Sequence, residues 1–213
     1  MKLRYLSIFA ASMLCSVPTF AIQGAAGDSP FQVKYASNLP IGDSVFNVTN
    51  TGAFTAEIVA NGAAVTDPSI CVNVYTFSPD VQLISCCACP VTPDGLVSLS
   101  ARNDLISNTL TPGVPTSIVV KLLGSTGTPA CNASAPGPLV TGMAAWGTTI
   151  HALPVTPGSP ATTYGTTETK FANATLSGAE LRRITTLCGF IQTNGSGFGI
   201  CRSCRFGGLA ATE

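Results

Sequence analysis

The chain predicts a mainly β fold: an antiparallel β-sandwich, Ig-like or jelly-roll-like, stapled by disulfides and finished by one short C-terminal α-helix. Three observations carry that expectation. The charged fraction is 9%, against about 25% in ordinary soluble domains, while 46% of the 213 residues are apolar. Turn clusters recur along the chain, at Thr92-Pro93-Asp94-Gly95, Thr111-Pro112-Gly113, Ala135-Pro136-Gly137-Pro138 and Thr156-Pro157-Gly158, and they separate short β-rich runs. Nine cysteines stand in a chain that begins like an exported protein.

Residues 1–21 read as a secretory signal. Lys2 and Arg4 supply the positive start, Leu6 to Val17 the apolar stretch, and Thr19-Phe20-Ala21 the small residues at a cleavage site near Ala21. The stretch is too short to span a bilayer as a helix, which needs about 20 residues. Cleavage removes two cations and leaves eight basic against ten acidic residues, a net charge of −2. It also removes Cys15, so eight cysteines remain: Cys71, Cys86, Cys87, Cys89, Cys131, Cys188, Cys201 and Cys204. An even number in an exported chain is the mark of a disulfide framework, although eight cysteines allow on the order of 100 pairings.

Residues 22–172 form the expected sandwich domain. Asp43 to Thr49 alternates as a strand and closes at Asn50-Thr51-Gly52; Glu57 to Ala60 is a short strand ended by Asn61-Gly62. Ile70 to Phe77 and Val81 to Cys86 read as a hairpin around Ser78-Pro79-Asp80. Paired tightly about that turn, the strands set Cys71 opposite Cys86 or Cys87, within reach of a cross-strand bridge. Neighbouring strand residues face opposite ways, so Cys86 and Cys87 are expected to serve different partners. Ser100 caps one or two helical turns in the segment that follows Leu96. Pro115 to Leu123 contains Ile118, Val119 and Val120 in a row, which predicts a central strand buried on both faces. Met143 to Leu153 is another strand, and Thr-rich Ala161 to Phe171 suits a solvent-facing one.

Residues 173–213 hold the helix and a Cys/Gly-rich tail packed on the sandwich. Ser177-Gly178-Ala179-Glu180 has the form of a capping box. Leu181, Ile184, Leu187, Cys188 and Ile191 then fall on one helical face, with Arg182 and Arg183 on the solvated other. Cys188 is expected to tie the helix to the sheet or to the following loop, and the trio Cys188, Cys201 and Cys204 to clamp the tail.

Several chemistries find no support in the residues. Ten basic and ten acidic side chains give no basic face for nucleic acid. Nucleophilic hydrolysis needs a base beside the nucleophile, and His151 is the one histidine. Cys201-Arg202-Ser203-Cys204 is a CxxC that together with Cys86-Cys87-Ala88-Cys89 offers thiolates to a metal, but a second CxxC at ribbon-like spacing is missing. Between Lys121 and Glu168 run 46 positions without an Asp, Glu, Lys or Arg. Ser, Thr and Asn can solvate that stretch, or part of it meets a neighbour.

Cys71 to Phe77 running into Cys86 to Val91, and the ending from Leu187 to Leu209 with its GSGFGICRSC run, resemble a group of exported cysteine-containing β proteins of acidobacterial type. The resemblance covers about half the chain and implies an exported, cysteine-framed protein; it carries no functional residues. The expectation is therefore an exported, non-enzymatic protein with a structural or adhesive task at the cell envelope or outside the cell, whether secreted, periplasmic or on the surface. A carbohydrate- or ligand-binding module, with Trp146, Tyr75 or Tyr164 as stacking platforms, is the alternative. A metal-dependent enzyme built on the cysteine cluster is the third reading. No cofactor, nucleic acid or transmembrane helix is expected, and the candidate partners are a second copy or a cell-surface polymer meeting the 122–167 stretch.

Overall fold

The computed structural model describes residues 29–53, 69–127, 130–154, 162–202 and 204–209. The expected signal segment, residues 1–21, and the strand expected at Glu57 to Ala60 lie outside them. The described chain forms two antiparallel sheets packed as a sandwich, with one helix against the first. The first sheet contains β1 (Phe31–Ala36), β3 (Ile70–Phe77), β4 (Leu83–Val91), β6 (Ile118–Thr126) and the short β9 (Ala172–Asn173), in the order β4-β3-β6-β1-β9. The second contains β2 (Val45–Asn50), β5 (Leu96–Ser100), β7 (Met143–Ala152), β8 (Tyr164–Lys170) and β10 (Arg205–Phe206), in the order β10-β5-β2-β7-β8. The helix α1 spans Gly178–Thr193.

The first sheet is covered on both sides, and its sequence records this. Every residue of β3 is buried, and β6 sits at the centre of the sheet between β3 and β1, as its run of β-branched residues requires. On the inner face Val72, Val74, Val120 and Leu122 meet Phe46, Val48, Leu99 and Met143 of the second sheet. On the outer face Tyr75, Phe77, Cys86 and Leu123 meet Ile184, Cys188 and Ile191 of α1. The second sheet is more open: β5 is buried on both faces from Val97 to Ser100, but β2 reads half-buried and buried in turn, and β8 stands in solvent along nearly its whole length.

Local chemistry fixes the ends of these elements. Ser177 caps α1 by accepting from the Glu180 amide at 3.1 Å. Glu180 spends its carboxylate on Arg183, at 2.9 Å, and on Lys121 of β6, at 2.5 Å. Both cations also lie over the Phe77 ring, at 4.7 Å for Lys121 and 5.4 Å for Arg183. Arg183 therefore joins the helix–sheet contact while staying exposed, and Arg182 is exposed too, as expected of this helix face. Ser100 accepts from the Asn103 amide and starts a single π-helical turn, Ala101–Leu105. At Thr92-Pro93-Asp94-Gly95 the left-handed residue is Asp94, at φ 57°, and Gly95 instead lies where a Cβ would come within 2.8 Å of the Thr92 carbonyl.

The β3–β4 hairpin corrects the expected register. Cys71 stands opposite Pro90, and Tyr75 opposite Cys86, so no bridge joins the two strands. The turn takes in one residue more than Ser78-Pro79-Asp80, because Val81 adopts a left-handed φ of 60° and closes on Ser78. The ladder then slips again between Thr76 and Phe77, leaving Ile84 as an extra residue in β4. Together these displace Cys86 and Cys87 toward the middle of β3.

Two outcomes test this packing. A methyl group at Gly147 would sit 2.5 Å from Phe46 Cδ1 and 2.8 Å from Lys34 Cε. Gly147→Ala is expected to destabilise the fold by about 1–3 kcal/mol in urea titrations under oxidising conditions. The Arg183 hydrogen bond, opposed by partial burial and aided by Lys121, holds the Glu180 carboxyl at about 2. A depressed carboxyl favours the fold above its unfolded value of 4.5, and that contribution fades as pH falls toward about 2. Glu180→Gln should flatten the acid limb of a stability–pH curve in that window and lower stability at neutral pH.

Candidate functional site

The cysteines resolve into four bridges: Cys71–Cys131, Cys86–Cys188, Cys87–Cys201 and Cys89–Cys204. Their Cα separations run from 5.3 to 5.9 Å, inside the usual range for unstrained bridges. Three of the four begin on β4, and the strand's pleat directs them. Cys86 points to the helix side and takes Cys188, while Cys87 and Cys89 point the other way and take Cys201 and Cys204. Successive β4 cysteines thus meet successive C-terminal ones. The backbone explains that order, because the tail runs parallel beside β4: the Cys86 amide donates to the Gly199 carbonyl at 2.9 Å, and the Cys201 amide donates to the Cys86 carbonyl at 3.3 Å. Beyond Cys204 the tail crosses to the second sheet, where Arg205 and Phe206 pair with Ser98 and Val97. It straps one side of the sandwich shut. The thiols that a zinc site would use are joined to one another, and among the described residues no group of three His, Cys, Asp or Glu converges.

The aromatic candidates separate. Tyr75 is wholly buried, and its hydroxyl donates to the Ala133 carbonyl at 2.7 Å; burial also raises its pKa. It is a core residue under α1 with no face for a ligand, because the hairpin register turns it toward the helix. Trp146 is half-buried on the outer face of the second sheet, at a register position between Asn47 of β2 and Lys170 of β8. Asn47 is held by the Ser98 hydroxyl, which donates to its Oδ1 at 2.6 Å. Thr148 follows on the same face, opposite Glu168. The result is a shallow, mostly uncharged surface with one indole, one amide and two opposite charges at its margin. Tyr164 shares that face but pairs with Ala152, six residues along the strand, roughly 20 Å away. One flat ligand of a few rings does not reach both. His151 lies half-buried on β7 opposite Gly165.

The 122–167 stretch also divides. Its start, Leu122 to Ser125, is buried in β6, where charge is excluded by burial; its end is the Thr-rich beginning of β8, where hydroxyls meet solvent. Lys34 of β1 is a functional-looking residue that the sequence reading did not single out. It is 7% exposed, reaches between the sheets past Gly147 and donates to Thr169 Oγ1 at 2.6 Å; burial lowers its pKa, and Glu168 partly offsets this.

Comparison of the chain with protein-family models, with curated proteins and with solved structures finds no match. The bridges themselves are directly measurable. Peptide mapping of unreduced protein should recover the four pairs above and no free thiol in residues 69–209. Paired replacement Cys71→Ser/Cys131→Ser opens a loop of 60 residues and should cost about 4 kcal/mol.

Proposed function

We propose that this is an exported, non-enzymatic β-sandwich that performs a structural or adhesive task at the cell envelope or outside the cell. The observation that carries the reading is the bridge set, which ties Cys86, Cys87 and Cys89 of one strand to chain 102, 114 and 115 residues away. Each bridge removes a long loop's freedom from the unfolded chain. Such bridges persist in oxidising compartments outside the cytoplasm. The apolar stretch before Ala21 and the resemblance to exported acidobacterial proteins support the same compartment. Among the described residues no helix is long and apolar enough to cross a membrane.

A second reading concerns the Trp146 face. An indole half-exposed on a rigid sheet, beside the Asn47 amide and the Lys170 and Glu168 charges, has the elements of a sugar-stacking surface: an apolar plane ringed by hydrogen-bonding groups.

Both readings are open to test. Expressed with its own leader, the protein should be recovered outside the cytoplasm, beginning at Ile22 and sedimenting with washed envelopes. Recovery as a reduced, full-length cytosolic chain would overturn the first reading. Binding to insoluble polysaccharides or a glycan array that falls about tenfold or more in Trp146→Ala, with unchanged melting, would establish the second.

A further inference from the structure

Each strand that ends a sheet carries a row of backbone amides and carbonyls without partners in that sheet. In this sandwich those strands are β4, β9, β10 and β8. At β4 the tail runs alongside and takes up part of the row. β9 and β10 are two residues each, too short to template another strand. β8 differs. It spans seven residues and is exposed along its length apart from half-buried Gly165. It contains no proline, its ladder with β7 runs without a bulge, and Thr166, Thr167 and Thr169 favour extended backbone. The charges of Glu168 and Lys170 cancel. Natural sandwiches protect a long, regular edge of this kind unless something pairs with it.

The β7–β8 ladder fixes which groups face outward. At its two ends the Leu153 amide donates to the Thr163 carbonyl at 2.8 Å, and the Phe171 amide donates to the Ala145 carbonyl at 2.9 Å. Antiparallel pairing alternates, so between those bonds Gly165, Thr167 and Thr169 are the residues bonded to β7. The amides and carbonyls of Tyr164, Thr166, Glu168 and Lys170 point the other way. Among the described residues none of them has a hydrogen-bond partner.

We propose that β8 pairs antiparallel with β8 of a second copy, about a two-fold axis at Thr167. With the axis there, Tyr164 faces the partner's Lys170 and Thr166 faces the partner's Glu168, so all the outward amides and carbonyls are used. Moving the axis to Glu168 sets that carboxylate against its own equivalent and leaves Tyr164 without a partner. Moving it to Thr166 leaves Lys170 without one. In the favoured register the Lys170 ammonium meets a tyrosine ring and the Glu168 carboxylate meets a threonine hydroxyl, both attractive cross-strand pairs. An unrelated extended peptide would satisfy the backbone alone, whereas a second β8 matches the side chains as well.

The five strands of each copy then form one continuous sheet, and its outer face joins surfaces that a single chain keeps apart. Trp146 lies opposite Lys170, and Lys170 faces the partner's Tyr164. The indole and the partner's phenol therefore stand two strands apart, about 10 Å, against roughly 20 Å within one chain. On the sugar-stacking reading of the Trp146 face, on which this consequence rests, the pair carries two aromatic platforms, each completed by the other copy.

The test is sedimentation velocity of the full protein from Ile22, disulfides intact, over a range of concentrations. A reversible dimer is expected. Thr166→Pro removes one outward amide and leaves every bond to β7 in place, so it should weaken the dimer about tenfold or more with little change in melting. Thr167→Cys should form an intermolecular bridge on mild oxidation, because the axis sets Thr167 opposite itself in a non-hydrogen-bonded pair with Cα atoms about 4.5 Å apart. Thr169→Cys, which faces the partner's Gly165, should not. Peptide mapping of the linked species checks that the four native bridges are unchanged. Trp146→Ala should lose any oligosaccharide binding and still form the dimer, so failure of the sugar reading and failure of the pairing are read separately. A protein that stays monomeric at the highest concentration, a dimer indifferent to Thr166→Pro, or linkage of Thr169→Cys in preference to Thr167→Cys would overturn the pairing.

Discussion

The alternation of a single β-strand governs the covalent frame of this protein. Along β4 the pleat sends Cys86 toward the helix and Cys87 and Cys89 toward the tail, so three nearby cysteines serve two faces at once. Through Cys86 the strand fixes α1, which in turn closes the outer face of the first sheet over Tyr75 and Phe77. Through Cys87 and Cys89 it fixes the strap that runs from the edge of one sheet to the edge of the other. An edge strand normally presents unpaired amides and carbonyls to solvent. Here the tail occupies part of that edge, and the bridges hold it there.

Much of this was readable because the relevant forces are local or periodic. The N-cap at Ser177, the helical spacing of Ile184, Cys188 and Ile191, and the central place of β6 follow from short-range rules and match the structure. The Glu180 carboxylate that a capping box would return to Ser177 goes instead to Arg183 and Lys121, and Val119 of β6 is only half-buried. The separate destinies of Cys86 and Cys87 followed from strand geometry alone. The register of the β3–β4 hairpin did not, because it depends on a valine in a left-handed conformation and on an extra residue at Ile84. Propensity gives no warning of either. The error was enough to bring Cys71 opposite the wrong residues, and its true partner, Cys131, comes from the long connection after β6.

The aromatic candidates divide for a similar reason. Tyr75, Trp146 and Tyr164 carry comparable surfaces in the sequence, and only tertiary placement distinguishes them. Tyr75 lies in a sheet covered on both faces, whereas Trp146 and Tyr164 lie in the more open one. The low charge content has two origins that composition merges. In β6 charge is excluded by burial, while on β8 threonine hydroxyls take the place of charged groups.

The order of the bridges bears on how the chain is made. No cysteine is joined to the next one along the chain: Cys71 skips to Cys131, and the three β4 cysteines await partners at positions 188, 201 and 204. Under the export proposed above, from the N-terminus, Cys71, Cys86, Cys87 and Cys89 would meet oxidant well before Cys188, Cys201 and Cys204. Pairs formed in that order would reach the native set only through thiol–disulfide exchange.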